Sequence, residues 1–533
     1  MLHHMTIREK ILVMIAVMSG LFLAALDQSI VSTALPTIVR DFNGLDELSW
    51  VVTAYLLTST ITIPIAGKLS DIFGRRKVLL SGITIFVLGS MLTGLSWNMG
   101  SLIGFRALQG IGGGVLMSSA FAVIGDLFVP AERGRWQGLF GAVFGLSSVI
   151  GPLLGGLLTD HASWRWCFYI NVPVGIVAFS LIFRYLPTIL AKNVKKGIDY
   201  VGAALLSGGL GSLLLGMTWG GTEYPWGSWQ IIGLLVAAVA LIGTFIWHES
   251  RTHDPIMPLE IFKNSIFRVA AVMLFLVGIA MFGAIVYLPL FAQAVQGSSA
   301  TNSGIILLPL VLSLTITSLV SGQITSRTGK YKKLAIFGTF TTTGALFWLS
   351  TLTPASSHTD LVLRMIPLGI GLGIMMPLFN LVVQNAFPQK MLGVVSSSVQ
   401  LFRGIGSTIG VALMGTLLNH TLSKQVASLP QNEFTKQMTE QHEKLDANTL
   451  QQILSSDGQA NVLSQISKLP DAAQSVVTNA FHSFIHAGQQ ALSTAITHVF
   501  LAGGIVLISA CVLVFFLKEI PLRKTMEADH GPV

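Results

Sequence analysis

The chain has 533 residues, of which 52% are hydrophobic and only 11% are charged, and its mean hydropathy is +0.70. No set of soluble domains needs so much apolar surface, so the composition excludes a soluble enzyme or binding module and indicates a polytopic membrane protein. The net charge of +8 needs no nucleic-acid partner, because the basic residues cluster in short loops between apolar runs, where they anchor membrane topology.

Fourteen apolar stretches are long enough to be membrane-spanning helices. They are predicted near residues 11–36, 48–67, 78–97, 101–125, 135–158, 168–187, 199–218, 228–247, 267–293, 302–325, 332–352, 361–386, 392–418 and 496–517. A cytoplasmic amino terminus assigns about 23 Lys and Arg residues to inner segments and about two to short outer loops. Both termini are therefore expected in the cytoplasm.

The first stretch carries a carboxylate, Asp27, about 17 residues or roughly 25 Å from the charged edge at Lys10. In the fourth stretch Arg106 lies roughly 7 Å below the opposite surface, so the two depths agree. An isolated charge at such depth costs about 2.5 to 3.5 kcal/mol, which favours a pair. We interpret Asp27 as the proton-carrying site of a transporter and Arg106 as its partner. A purely structural ion pair is the alternative.

The next inner loop, residues 67–77, reads GKLSDIFGRRK. Its glycines, Gly67 and Gly74, allow a tight turn and a close approach of helices. Asp71 can accept hydrogen bonds from helix N-terminal amides or from an arginine, and Arg75 and Arg76 follow four and five residues later. We expect this loop to latch helices together.

The fourth and fifth helices are rich in glycine. Residues 106–114 read RALQGIGGG, and in a membrane such glycines let neighbouring helices or a substrate come close. The fifth helix has small residues four apart and a proline that favours a bend: Gly141, Gly145, Gly151, Pro152, Gly155 and Gly156. Plain helix packing is the alternative explanation for this face.

These stretches, in this order, resemble motifs of the major facilitator superfamily and of its fourteen-helix drug:proton antiporter family. The loop at 67–77 is similar to the cytoplasmic gating signature, residues 106–114 to the fourth-helix motif linked with proton coupling, and residues 141–156 to the antiporter motif of exporters. Residues 26–36 (LDQSIVSTALP) and 164–173 (WRWCFYINVP) look like signatures of the fourteen-helix branch. The resemblance implies an all-α fold of two six-helix bundles with two extra central helices.

Three segments are expected from this resemblance: an amino-terminal bundle at 1–190, two inserted helices at 191–264, and a carboxy-terminal bundle at 265–533. A weak internal repeat supports two bundles, since residues 322–330 echo the gating loop with Ser326 in place of Asp71, and Arg364 echoes Arg106. An outer insertion spans 420–495, where apolar residues at helical spacing predict short amphipathic helices: Val462, Ile466, Leu469, Val477, Phe481, Phe484 and Gly488. The insertion is a lid, a dock for an envelope partner, a substrate-receiving surface or a neutral addition.

The resemblance also implies a central cavity between the bundles. Its candidate lining residues are Gln28, Tyr55, Gln109, Met117, Tyr287, Asn380, Gln384 and Arg403, and for each of them ordinary helix packing is the alternative. The later helices carry no further acid, which disfavours dicationic substrates. Arg403 lies about 18 Å deep and is expected to bind an anionic group or a backbone carbonyl.

We therefore predict a proton-coupled antiporter that exports lipophilic drugs, cationic or neutral, by alternating access. The resemblance implies the cytoplasmic membrane of a bacterium, with protons as coupling ion and no other cofactor, and we expect a monomer. One alternative is an exporter or flippase of a lipid or cell-envelope metabolite, favoured by the insertion and by Arg403. Another is a non-transporting scaffold or receptor. An enzyme is not expected, because the sequence shows no phosphate loop, nucleophile constellation or metal cluster, and the two cysteines, Cys167 and Cys511, lie in apolar stretches.

Overall fold

The computed structural model describes residues 6–42, 48–187, 197–221, 223–297, 306–426, 450, 453–454, 456–467 and 471–522. Within these residues, thirteen helices are long and apolar enough to cross a membrane. A fourteenth, Lys332–Leu349, begins with two lysines and packs between its neighbours in the bundle. Long helices are the expected outcome, because in lipid a chain must satisfy its backbone hydrogen bonds within each segment.

Six helices form the first half of the chain. They are α1 (Ile7–Phe42), α2 (Leu48–Phe73), α3 (Arg75–Gly94), α4 (Met99–Leu127), α5 (Pro130–His161) and α6 (Trp166–Tyr185), the last with a one-residue break at Ile170.

Eight helices follow. They are α7 (Tyr200–Trp219), α8 (Trp229–Glu249), α9 (Ser265–Leu290, continued by a π-helical turn at Phe291–Val295), α10 (Leu308–Thr328), α11 (Lys332–Leu349), α12 (His358–Ala386), α13 (Leu392–Val426) and α14 (Asp471–Leu513). A further short helix, Ser456–Ile466, precedes α14.

Local chemistry fixes several helix ends. Asn98 caps α4 by accepting a hydrogen bond from the Ser101 amide, and the Ser101 side chain returns to the Asn98 backbone as a capping box. Between α2 and α3 the chain turns within a single residue, Gly74, whose φ of +89° is a conformation that favours glycine. The tight turn expected at this glycine is therefore present.

The helices pack as two sets. Within the first, α2 and α3 lie against α4, and α1 lies against α5. Within the second, α9 packs on α13, and α12 packs on α10 and α11. The sets meet where α5 contacts α10 and α12, and where α13 contacts α2 and α4. The inserted helices α7 and α8 pack on each other, and α7 also touches α2 and α13. The segment boundaries predicted from the sequence stay predictions.

The predicted short helices near residue 480 are organised differently from expectation. Val477, Phe481 and Phe484 do not form a separate helix but lie on α14, which runs unbroken for 43 residues, and all three are buried. The stretch contains no proline, so nothing interrupts the helical spacing before the membrane span begins. Ile466 is buried on the separate short helix, and Leu469 lies outside the described residues.

Candidate functional site

The Asp27 carboxylate is fully buried and accepts three hydrogen bonds. Arg106 Nη1 on α4 lies 2.5 Å from Asp27 Oδ2. Gln109 Nε2, one turn further along α4, donates to Asp27 Oδ1 at 2.8 Å, and Asn171 Nδ2 on α6 donates to the same oxygen at 2.9 Å. The depth argument from the sequence thus pairs the right residues. The carboxylate joins three helices, α1, α4 and α6.

The Arg106 guanidinium is held on every side. It donates to Gln109 Oε1 at 2.8 Å and, through Nε, to the Val51 carbonyl at 3.3 Å. Its Cζ lies 4.4 Å from the centre of the Tyr55 ring, a cation–π contact. Gln28 lies within hydrogen-bonding reach of the Tyr55 hydroxyl and is itself exposed. A chain of contacts therefore runs from an accessible side chain to the buried ion pair.

Glycines bring the helices of this cluster together. A Cβ atom on Gly112 of α4 would lie 2.5 Å from the Phe86 amide nitrogen of α3, and one on Gly89 of α3 would lie 2.7 Å from the Gln109 backbone. Real Cβ atoms do not come this close, so both positions need glycine at this helix separation. The fourth-helix glycines thus serve helix approach, as the sequence predicted for them.

Sequence reasoning missed two members of the cluster, Asn171 and Ser90. Asn171 Nδ2 also donates to Ser90 Oγ on α3 at 2.9 Å, and Ser90 Oγ donates to the Phe168 carbonyl at 2.9 Å. Asn171 stands in the stretch 164–173, which looks like a signature of the fourteen-helix branch. In the same stretch, Trp164 and Phe168 are buried, and Trp164 Nε1 donates to Asp41 Oδ2 at 2.8 Å. A polar residue inside an apolar run was the available signal.

The gating loop forms a second buried charge cluster. Arg75 pairs with Asp71 at 2.6 Å and with Asp126 of α4 at 2.7 Å. Asp71 Oδ2 accepts a hydrogen bond at 3.1 Å from the Val394 amide in the first turn of α13. Asp71 thus makes both kinds of contact expected from the sequence, an arginine and a helix N-terminal amide. A Cβ on Gly67 would lie 2.6 Å from Ser397 Cβ, so the loop and α13 touch closely.

Arg76 faces a different neighbour from Arg75. Its Nη2 donates to the Phe183 carbonyl of α6 at 2.5 Å, and its Cζ lies 4.7 Å from the centre of the Phe183 ring. Arg76 therefore ties the loop to its own half of the bundle, whereas Asp71 reaches across to the other half. Asp126, which sequence reasoning missed, pairs with Arg75 and completes the buried charge cluster of Asp71, Arg75 and Asp126.

Gln384 belongs to a contact between the halves and not to an open cavity. Its side chain is buried, donates to the Phe121 carbonyl of α4 at 3.0 Å and to Ser396 Oγ of α13 at 2.9 Å, and accepts from Gln137 of α5 at 3.1 Å. Arg133 adds a bond to the Gln384 carbonyl at 3.2 Å. The expectation of a cavity-lining Gln384 is not supported, because packing of the two halves covers the residue.

The antiporter-like stretch divides between two interfaces. Gly141 and Gly145 face α10, where Thr315 Oγ1 donates to the Gly141 carbonyl at 3.3 Å. Around Pro152 the stretch faces α1: Gly151 lies against Ser29, and Gly155 lies against Thr33. A Cβ on Gly156 would meet no heavy atom within 4 Å. Five of the six residues thus lie in or beside close helix contacts.

The remaining cavity candidates differ in exposure. Gln28 is exposed, and Met117 and Arg403 are half-buried. Tyr55 and Gln109 belong to the Asp27 cluster, Tyr287 is buried beside Gly415 of α13, and Asn380 is buried on α12. Among the described residues, no group of three or more His, Cys, Asp or Glu side chains is placed so that it could hold a metal ion.

Comparisons with known proteins agree with this architecture. A sequence profile of the Major Facilitator Superfamily matches residues 17–411. The chain is 38% identical over 532 residues to the multidrug transporter protein MdtP of Bacillus subtilis, which covers 98% of this chain and 95% of that protein. It is 34% identical to multidrug resistance protein 3 of the same organism, with 97% and 96% covered.

The solved structures agree on the fold. The human organic anion transporter MFSD10 (TETRAN) superimposes with a TM-score of 0.61 at 15% identity, covering 94% of this chain and 100% of that one. At this identity the likeness concerns the fold alone. The helical architecture, the family profile and the near full-length relatives together show that the chain is a multi-pass membrane transporter, not an enzyme, and that it belongs to the major facilitator superfamily.

Proposed function

We propose that this chain is a proton-coupled antiporter that exports lipophilic, drug-like molecules across the cytoplasmic membrane of a bacterium. The observation that carries the proposal is the Asp27 carboxylate, fully buried at membrane depth and held by three donors from α4 and α6. Ionisable groups inside a membrane are expensive and typically mark proton or substrate pathways. The names of MdtP and multidrug resistance protein 3 supply the class of substrate.

Protonation changes what holds α1 to α4. A neutral Asp27 loses its charge attraction to Arg106, while Gln109, the Val51 carbonyl and the Tyr55 ring still contact the guanidinium. Because the pair is shielded from water, loss of the charge interaction has a large effect on the packing of the two helices. Proton binding can thus shift the equilibrium between two arrangements of the bundle.

Substrate binding can shift the same equilibrium by acting on Tyr55. Gln28 is accessible and reaches the Tyr55 hydroxyl, and the Tyr55 ring covers Arg106. A substrate that displaces Gln28 or presses on Tyr55 therefore disturbs the ion pair from its open side. Proton and substrate need only favour opposite states for exchange to be coupled.

The described state is closed at the end that carries the gating loop. Asp71 bonds to α13, Gln384 bonds to α4 and α5, and the α5 glycines pack on α10. With both termini cytoplasmic, as the distribution of basic residues predicts, this is the inner end. In the proposed cycle these contacts break to admit substrate, and Asp71, Arg75 and Asp126 determine how stable the closed state is.

The Asp27 contacts favour neutral substrates over the cationic ones also predicted from the sequence. Asp27 is the buried carboxylate of this cluster, and its two oxygens already accept three hydrogen bonds. A cation would have to compete with Arg106 for that carboxylate. We further propose that the transporter works as a monomer, since the hydrogen bonds of Asp27 and Arg106 are made within a single chain and the proposed proton site needs no second copy.

The proposal is tested with inverted membrane vesicles that hold a pH gradient. A lipophilic monocation, a lipophilic dication and a neutral drug are added in turn, and proton release is followed by a pH-sensitive dye. In the wild type at least one drug should collapse the gradient, and Asp27→Asn should abolish that response. Asp360→Asn is the matched control, because it removes a carboxylate that is 33% exposed and paired with Arg364 at a helix end.

Two results would contradict the proposal. Drug-triggered proton release that persists in Asp27→Asn would exclude Asp27 as the proton site. No response to any drug in the wild type would favour the alternative substrate, an endogenous lipid or cell-envelope metabolite. Deletion of the transporter should then cause that substrate to accumulate.

A further inference from the structure

Arg403 differs from the other buried or half-buried arginines described above. It lies 11 residues after the start of α13 at Leu392, about 17 Å into the helix and near the middle of the membrane. Within the described part of the chain, its guanidinium has no carboxylate within 4 Å and donates no hydrogen bond. Arg75 and Arg106 pair with carboxylates, and Arg133 donates to three backbone carbonyls.

Two buried amides, Gln400 on α13 and Asn380 on α12, also have hydrogen-bonding atoms without a partner among the described residues. Gln400 is 2% exposed, and neither its Oε1 nor its Nε2 has a partner among the described residues. Asn380 is 4% exposed, and its Oδ1 is likewise without a partner there, whereas its Nδ2 donates to the Met376 carbonyl. A buried polar atom left unpaired is costly, so native proteins rarely keep one without a reason.

The helix geometry places Gln400 beside Arg403 on α13 and places Asn380 at a similar level on α12. Gln400 and Arg403 are three residues apart on α13 and so share a helix face. The consecutive helices α12 and α13 run antiparallel and are joined by the hydrogen bond from Gln384 to Ser396 at 2.9 Å. One turn away from that bond on each helix lie Asn380 and Gln400, which are therefore level. The region sits directly above the closed contact made by Gln384.

Arg403 and Gln400 carry N–H donors that suit an anion, whereas the unpaired atom of Asn380 is an oxygen and suits an N–H group of the guanidinium. A guanidinium offers parallel N–H donors that match a carboxylate or a similar oxyanion in a bidentate arrangement. The Gln400 amide can donate to the same group. We propose that Arg403 and Gln400 form a subsite for the anionic group of a lipophilic substrate, so that the transporter accepts lipophilic monoanions such as carboxylates. This inference rests on the proposed function, since it specifies the substrate of the same exporter.

Binding to purified full-length protein in lipid nanodiscs tests the subsite. The probes are pyrenebutyrate, its neutral primary amide and pyrenemethylammonium, which share one fluorescent apolar body and differ in charge, and their dissociation constants follow from fluorescence anisotropy. We expect the wild type to bind pyrenebutyrate most tightly. Arg403→Gln should raise the dissociation constant of pyrenebutyrate about tenfold or more and should change that of the amide by no more than about twofold. Arg403→Lys keeps the charge but not the paired N–H donors of the guanidinium, so its dissociation constant for pyrenebutyrate should lie between those of the wild type and Arg403→Gln.

Two further variants distinguish loss of the subsite from loss of folding. Lys424→Gln removes one positive charge at the exposed end of the same helix and should leave all three constants unchanged. Gln400→Met keeps the length but removes the two unpaired atoms, and it should weaken pyrenebutyrate without lowering the melting temperature. Equal weakening of acid and amide by Arg403→Gln, or no preference for the acid in the wild type, overturns the subsite.

The failure of this inference can be told apart from failure of the proposed function. If the acid shows no preference but a neutral drug still releases protons only when Asp27 is present, the antiporter stands and the anion subsite falls. If the acid binds through Arg403 but Asp27→Asn transports normally, the subsite stands and proton coupling through Asp27 falls.

Discussion

The hydrogen bond between Asp71 and the first turn of α13 joins the two halves in the closed state. The variant Asp71→Asn should therefore lower the stability of that state. In Asp71→Asn the side chain keeps its shape but loses the charge that faces both Arg75 and the Val394 amide. A charged hydrogen bond contributes about 1 kcal/mol more than a neutral one, and a carboxylate at a helix N-terminus adds about 0.5 kcal/mol. The closed state should therefore lose about 1.5 kcal/mol, or about tenfold in its population ratio.

Distances between spin labels measure that shift. Lys77 and Lys330 are exposed on opposite halves at the gating-loop end, and cysteines introduced there can be labelled after the buried Cys167 and Cys511 are replaced. Asp71→Asn should move a measurable share of the distance distribution to longer values. An unchanged distribution would refute the claim that Asp71 latches the halves. An equal shift in Asp360→Asn would attribute the effect to general destabilisation.

Three further predictions concern the Asp27 cluster, its glycines and charge movement. Asn171→Leu removes the hydrogen bonds to Asp27 and Ser90 and should lower the free energy of unfolding by about 1 to 3 kcal/mol. The melting temperature in detergent should fall, and an unchanged melting temperature would contradict the role of Asn171 in the cluster. Gly112→Ala, whose Cβ would collide with α3, should destabilise by about 1 to 3 kcal/mol, whereas Gly156→Ala, which meets nothing within 4 Å, should be neutral or stabilising by up to about 1 kcal/mol. With one proton exchanged per substrate, export of a monocation is electroneutral and export of a monoanion moves two charges. A potassium diffusion potential in proteoliposomes should then accelerate only the neutral and anionic probes, and equal acceleration of the cation would contradict this stoichiometry.

Properties that depend on local sequence were predictable. Runs of about 20 apolar residues have one stable form in lipid, so the fourteen spans follow from hydropathy, although their ends shifted by several residues. Residue counting placed Asp27 and Arg106 at the same depth, and the cost of an isolated buried charge required a partner. The tight turn of the gating loop followed from Gly74, because a turn of one residue is a local feature, whereas the hydrogen bond between Asp71 and the first turn of α13 is a tertiary contact.

The tertiary structure decided which side chains share a site. Depth along a helix is set by residue number, but the direction in which a side chain points depends on how each helix is rotated against its neighbours. Hydropathy carries little information on that rotation when a helix is apolar on all sides. For this reason Asn171 joined Asp27, Gln384 became a contact between the halves, and Arg403 stayed without a partner in the described chain. The same residue types at the same depths, on helices turned differently, would form another site.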